Sequence, residues 1–232
     1  MFPGQGSQVV GMCVELSKND AMVKDMFDVA STILNVNLLD ICINGPKNIL
    51  DSTQYSQPAI FVSSVAAFKS FSAREDHSLK VNPPSIAMGL SLGEYTALCC
   101  ADVFSFEEGV LLTKLRGEEM QKACDLRKGK MTTVIGLNTQ DLGDLCTQVN
   151  EQNGQLVRIA NYLSDNNYVV AGDANSVDLL VEKISNYGTS VKSIALPVSG
   201  AFHTDLMLPA KSALEEAIGM ANFRAPRIPV VM

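Results

Sequence analysis

The 232 residues, 47% hydrophobic and only 19% charged, suffice for one large domain or a core with a small subdomain, and exclude a fibrous or disordered chain. A net charge of −7 argues against nucleic acid as a partner, because phosphate binding needs a basic surface. An acidic protein partner stays open, since it needs only a local basic patch.

The chain opens without a strand, on Met1-Phe2-Pro3 leading into the loop Gly4-Gln5-Gly6-Ser7-Gln8. Apolar residues recurring at three and four predict helices over 9–16 and 21–34. Residues 49–51 and Tyr55-Ser56-Gln57-Pro58 read as a turn, with Pro58 in the first turn of a helix over 59–72. A charged, polar link over 74–82 carries His77 as a solvated loop residue and ends at Pro83-Pro84. Ser85-Ile86-Ala87-Met88 predicts a buried strand feeding a tight turn at Ser91, followed by helices over 94–101 and 106–124.

From Lys130 the pattern changes. It predicts a strand over 131–136, a helix over 139–152, strands over 156–161 and 168–171, a helix over 175–187 and a strand over 191–196. That βαββαβ order is ferredoxin-like, a subdomain over 129–196 inserted into an incomplete α/β core of 1–128 and 197–232. A loop over 197–204, a helix over 209–220 and the start of a strand at 227–232 close the chain.

Six cysteines (Cys13, Cys42, Cys99, Cys100, Cys124, Cys146) form no CxxC pair and read as free thiols of a reducing compartment. With His77 and His203 the only histidines, no metal site is expected. No apolar run approaches the roughly 20 residues of a membrane span, and no membrane partner is expected. The first residues read as neither a signal peptide nor an Arg-rich presequence, and any presequence would lie before Met1.

Gly89-Leu90-Ser91-Leu92-Gly93 fits G-x-S-x-G. A sharp strand-to-helix turn needs small residues on both sides of the serine so that its hydroxyl stands exposed, and the following helix aims its N–H groups at a developing oxyanion. The same five residues also fit an ordinary glycine-rich turn whose serine caps the helix. A serine nucleophile needs a base. Of the two histidines, His203 lies on a loop after a strand, in Pro197-Val198-Ser199-Gly200-Ala201-Phe202-His203-Thr204, and is the better candidate. Gly4-Gln5-Gly6 lacks the Lys-Ser/Thr ending of a phosphate loop.

Five blocks together resemble malonyl-CoA:acyl-carrier-protein transacylases and polyketide acyltransferase domains. They are Phe2-Pro3-Gly4-Gln5-Gly6-Ser7-Gln8, Gly89-Leu90-Ser91-Leu92-Gly93-Glu94, Leu115-Arg116-Gly117-Glu118-Glu119-Met120-Gln121, Asn161-Tyr162 with Val169-Val170-Ala171-Gly172, and Val198-Ser199-Gly200-Ala201-Phe202-His203. The resemblance implies an α/β fold, with an α/β-hydrolase-like core and the inserted ferredoxin-like subdomain. It implies that Ser91 takes the malonyl group as an ester, and that His203 accepts the serine proton and then activates the phosphopantetheine thiol of acyl carrier protein. Arg116 would hold the malonyl carboxylate with a planar, two-pronged donor that lysine cannot copy; the alternative is a surface ion pair with Glu118 or Glu119. The backbone N–H groups of Gln5 and Leu92 would form the oxyanion hole. Phe202 would leave no room for an α-methyl group, a discrimination of about 1–3 kcal/mol. Malonyl-CoA enters as substrate, and no cofactor is implied.

Leu90 stands where many members carry His, and with Gly200-Ala201-Phe202-His203-Thr204 and Gln8-Val9-Val10-Gly11-Met12 it resembles the mitochondrial animal branch. That implies the mitochondrial matrix, otherwise the cytoplasm. Members usually carry a strand before the Phe-Pro-Gly-Gln-Gly loop and several dozen residues past the position of Met232, including a carbonyl that orients the imidazole. The resemblance therefore implies a chain truncated at both ends. Lys122, Arg127, Lys128 and Lys130 read either as a landing patch for the acidic carrier or as solvated charges. Two other functions fit the serine turn: a thioesterase-type serine hydrolase, and an inactive truncated or regulatory isoform.

Overall fold

Why helices and strands form where they do is read from a computed structural model that describes residues 1–73, 84–187, 190–198 and 200–232. The polar link over 74–82 with His77, as well as Pro83 and Ser199, lies outside the described residues. Two compact units are present, Met1–Glu118 with Ala213–Met232, and Glu119–Ser212.

In the first unit, α1 (Val14–Asn19) is followed by α2 (Ala21–Leu34), whose bounds are those of the apolar periodicity. The Asp20 side chain accepts from the Met22 N–H to cap α2, and Asn35 closes it in the left-handed region at φ 55°. The helix expected from residue 9 starts only at Val14. Gly11 at φ 96° and Cys13 at φ 64° break it, and Val9 and Val10 are exposed rather than core. Two short helices went unforeseen, α3 (Leu38–Asn44) and α4 (Lys47–Leu50), each too brief for a periodic pattern. Helix α5 (Thr53–Ser72) begins six residues earlier than expected, so Pro58 lies inside it rather than in its first turn. Val23 and Phe27 of α2, Leu38 and Cys42 of α3, and Phe61, Val62 and Val65 of α5 pack into one core. Its stabilisation comes from apolar area removed from water.

Strand β1 (Ala87–Met88) precedes α6 (Leu92–Cys100) and α7 (Phe106–Leu126). Helix α10 (Leu208–Met220) and strand β6 (Val230–Val231) come last. β1 pairs in parallel with β6, Ala87 opposite Val230 and Met88 opposite Val231. No strand precedes β1 among the described residues, as expected, though Phe2 forms an isolated parallel bridge with Gly89 and its N–H donates to the Met88 carbonyl at 2.8 Å. This short parallel array delivers the chain to Ser91.

The second unit runs β2 (Gly129–Ile135), α8 (Thr139–Asn153), β3 (Val157–Ser164), β4 (Asn167–Asp173), α9 (Ala174–Ser185) and β5 (Lys192–Ala195). The sheet order is β3-β4-β2-β5 and every pairing is antiparallel, the ferredoxin-like arrangement. Val134, Val157, Tyr168 and Val170 of the sheet pack with Leu142, Leu145 and Val149 of α8 and Val177, Leu180 and Ile184 of α9. Among the described residues, no single helix is long and apolar enough to cross a membrane.

Candidate active site

The serine turn is built from close approach. β1 ends at Met88, Ser91 sits at φ 55° and ψ −104°, and α6 begins with the next residue. The Gly93 N–H donates to the Leu90 carbonyl at 2.9 Å, closing the turn. A Cβ on Gly89 would lie 2.0 Å from the Gly93 carbonyl carbon, and one on Gly93 would lie 2.4 Å from the Phe2 carbonyl oxygen. Neither position admits any other residue. Positive φ is uncommon outside glycine and clusters at functional sites. Among the described residues six non-glycine residues adopt it, and two of those are Ser91 and His203.

Arg116, on α7, reaches the serine directly. Its Nη2 donates to Ser91 Oγ at 2.9 Å and its Nη1 to Gln57 Oε1 at 2.5 Å. The guanidinium carbon lies 5.5 Å from the centroid of the Tyr95 ring, within cation–π reach. Burial pulls the Arg116 pKa down, against the opposing pull of Tyr95 and Glu94; a guanidinium nonetheless stays charged in proteins. Burial also pushes the Tyr95 phenol up. The alternative of a surface ion pair is set aside, since Glu119 accepts from Lys122 Nζ at 2.5 Å while Arg116 faces Ser91 and Gln57.

The Gly4-Gln5-Gly6 loop lies against the same turn, where a Cβ on Gly4 would stand 3.0 Å from the Leu90 carbonyl oxygen. Gln5 Nε2 donates to Thr53 Oγ1 at 3.2 Å. The Gly6 N–H donates to Gln8 Oε1 at 2.8 Å, and Gln8 Nε2 donates to Asp51 Oδ1 at 2.9 Å. Leu92 heads α6, so its backbone N–H belongs to the first turn, whose donors have no intrahelical acceptor.

Phe202 and His203 belong to the second unit, on the loop after β5. Ala201 and Phe202 are buried and His203, at φ 60°, is exposed. Thr204 fixes the loop: its hydroxyl donates to the Ala201 carbonyl at 2.7 Å and accepts from the Leu206 N–H at 3.3 Å. A Cβ on Gly200 would meet Cys124 Sγ at 2.1 Å, so the backbone there lies flush on α7. Three of the four basic candidates bond to acids, Lys122 to Glu119, Arg127 to Asp173 and Lys130 to Asp178, which compensates the charge expected of a landing patch.

The family described as acyl transferase domain matches residues 1–232. The malonyl CoA-acyl carrier protein transacylase of Escherichia coli O157:H7 is 36% identical over the whole chain, which spans 72% of that protein. The chain belongs to the malonyl CoA-acyl carrier protein transacylase family. A probable mitochondrial transacylase of Drosophila melanogaster is 34% identical over 99% of the chain and 61% of its own length. The solved transacylase of Coxiella burnetii superposes with a TM-score of 0.90 at 36% identity, covering 99% of this chain and 70% of that one. A type II polyketide acyl-carrier protein in complex with its malonyl-transacylase contains a chain that matches with a TM-score of 0.89 at 34% identity, over 99% of this chain and 72% of that chain. The α/β fold of this family is that of the chain.

Sequence reasoning missed Thr53, Gln57 and Tyr95. Gln57 reads as a turn residue in the sequence and lies in α5. The signal that would have found it is a glutamine one helical turn after a threonine, on a helix otherwise rich in buried apolar residues.

Proposed function

We propose that this chain moves a malonyl group from coenzyme A to the phosphopantetheine thiol of an acyl carrier protein, for fatty acid synthesis, through an ester on Ser91. The observation that carries the reading is the Arg116 guanidinium donating to Ser91 Oγ at 2.9 Å. A cation fixed beside the nucleophile suits an acyl group that ends in a carboxylate, and a hydrolase of neutral acyl thioesters has no use for it.

In the proposed cycle Ser91 Oγ attacks the malonyl thioester carbonyl as His203 takes the hydroxyl proton. The oxyanion accepts hydrogen bonds from the backbone N–H groups of Gln5 and Leu92. The C–S bond breaks, the proton passes from His203 to the leaving coenzyme A sulfur, and malonyl-Ser91 remains. The carrier thiol then gives its proton to His203, attacks the ester carbonyl and releases Ser91 with its proton restored. Arg116 holds the malonyl carboxylate throughout, and Phe202 disfavours an α-methyl group. Thioester, ester and thioester exchange requires no cofactor, and coenzyme A serves as the carrier of substrate. Residues 129–196 are, in this reading, a subdomain inserted in the acyltransferase core.

Incubation with labelled malonyl-CoA and holo acyl carrier protein tests the reading. Label on the carrier is the expected result. Free malonate formed in the carrier's presence supports the thioesterase reading instead, and a chain that takes no label is an inactive form. We further propose the mitochondrial matrix as its location, a reading supported by the Drosophila relative's name and by Leu90. Protection from protease in intact mitochondria, lost on lysis of both membranes, is the expected behaviour; recovery in the cytosolic fraction would contradict it.

A further inference from the structure

Helix α5 presents two side chains one turn apart, Thr53 and Gln57, and each holds a different part of the site. Both are fully buried. Spacing of four residues puts them on one face of the helix. Thr53 Oγ1 accepts from the Gln5 side chain at 3.2 Å, and Gln57 Oε1 accepts from Arg116 at 2.5 Å. The backbone there is pressed against α7: a Cβ on Gly117 would lie 2.7 Å from the Thr53 carbonyl oxygen and 3.3 Å from that of Gln54. Arg116, the residue before Gly117, is thereby carried in at a fixed height along α5.

The chemistry of the two acceptors differs in a way that matters. Gln57 is a neutral amide, so it orients the guanidinium without neutralising it. A half-buried cation that donates to an amide and a hydroxyl, with an aromatic face beside it and the Glu94 carboxylate acting on it through space, keeps its attraction for an arriving carboxylate, and low local polarity strengthens that attraction. A glutamate at the same place would satisfy the charge in advance. Thr53 acts on the other arm. It tethers the Gln5 side chain and so restrains, beside the Gln8 contact to the Gly6 N–H, a loop whose Gly4 and Gly6 give the Gln5 backbone conformational freedom.

We propose that Thr53 and Gln57 are positioning residues that divide the control of the reaction, Gln57 setting the choice of acyl group through Arg116 and Thr53 setting the rate through the Gln5 loop. This rests on the malonyl-transfer reading above. The carboxylate contact is peculiar to malonyl, whereas the carbonyl that faces Gln5 is common to every acyl thioester, so the two residues have separable signatures.

The test is loading of Ser91 from malonyl-CoA and from acetyl-CoA, as kcat and KM, on preparations shown to be folded by thermal melting. Gln57→Glu lowers kcat/KM for malonyl-CoA about 100-fold, chiefly through KM, and leaves acetyl-CoA within about threefold. Gln57→Leu lowers the malonyl-to-acetyl ratio about tenfold. Gln57→Glu matches the native side chain in size and carries the test alone if the leucine variant does not fold. Thr53→Val lowers kcat for both substrates together by about tenfold and leaves their ratio unchanged. The inference is overturned by a folded Gln57→Glu chain whose ratio stays within about twofold of wild type, or by a Thr53→Val chain that shifts the ratio as far as Gln57→Glu does. A wild-type chain that loads acetyl as readily as malonyl contradicts the malonyl reading itself, a result distinct from either.

Discussion

The two units bury their helices for different ends. Helix α5 of the first unit buries five polar side chains, Thr53, Ser56, Gln57, Ser63 and Ser70, among its apolar ones. Helices α8 and α9 of the second unit bury Leu142, Leu145, Cys146, Val149, Val177, Leu180 and Ile184, with Ser176 the one polar exception. Burying a polar group without a partner costs more than its hydrogen bond returns, so a helix that buries many is constrained by where their partners must be. In the first unit two of these polar side chains, Thr53 and Gln57, orient Gln5 and Arg116. In the second, α8 and α9 use their buried faces to close a sheet. A change in one region should therefore move chemistry before stability, and in the other stability before chemistry.

The largest expected effect breaks the first unit's arrangement at its end point. Arg116→Ala lowers malonyl loading by about 100-fold or more and acetyl loading by less than about tenfold, and Arg116→Lys restores little of the loss because an ammonium lacks the fork. Equal losses on both substrates would show that Arg116 supports the turn rather than the carboxylate. Next in size is Leu180→Ala in the second unit, which leaves a cavity beneath α9 and lowers stability by about 2–5 kcal/mol with the malonyl-to-acetyl ratio unchanged, by denaturant melt and loading assay.

A matched pair of helix glycines sharpens the contrast. Gly117→Ala drives a Cβ to 2.7 Å from the Thr53 carbonyl oxygen, which should cost about 1–3 kcal/mol and also lower malonyl selectivity as α7 lifts from α5. Gly143→Ala, in α8 with nothing within 4 Å of the new Cβ, should stabilise the chain by about 0.5–1 kcal/mol and leave loading unaltered. If both alanines proved neutral, close approach of α7 and α5 would not be what fixes Arg116.

The same contrast explains how far the sequence could be read. The second unit follows period-2 strands and period-3.6 helices, so its elements fall within about three residues of the expected bounds, and its ferredoxin-like order was legible. In the first unit the periodicity gave the bounds of α2, and the structure adds its caps, Asp20 and Asn35. Helices α3 and α4 were not, because seven and four residues carry too little pattern. The start of α5 was hidden because Thr53 and Gln57, with Ser56 between them, look like turn residues when the partners of Thr53 and Gln57 are unknown. Pro58 then reads as opening a helix that it in fact sits within. At the site, the turn motif singles out Ser91 and the family resemblance singles out Arg116, and the structure adds their direct contact. Gln57 escaped because a glutamine declares its role only through the arginine 59 residues away that it receives.

The most direct measurement is the mass of the purified chain after brief exposure to malonyl-CoA without carrier protein, followed by peptide mapping. The proposed mechanism predicts one malonyl group added to the peptide carrying Ser91, removed on adding holo acyl carrier protein, and absent from Ser91→Ala. A malonyl group on another residue, or an unmodified Ser91 in a chain that still transfers malonyl, would contradict it.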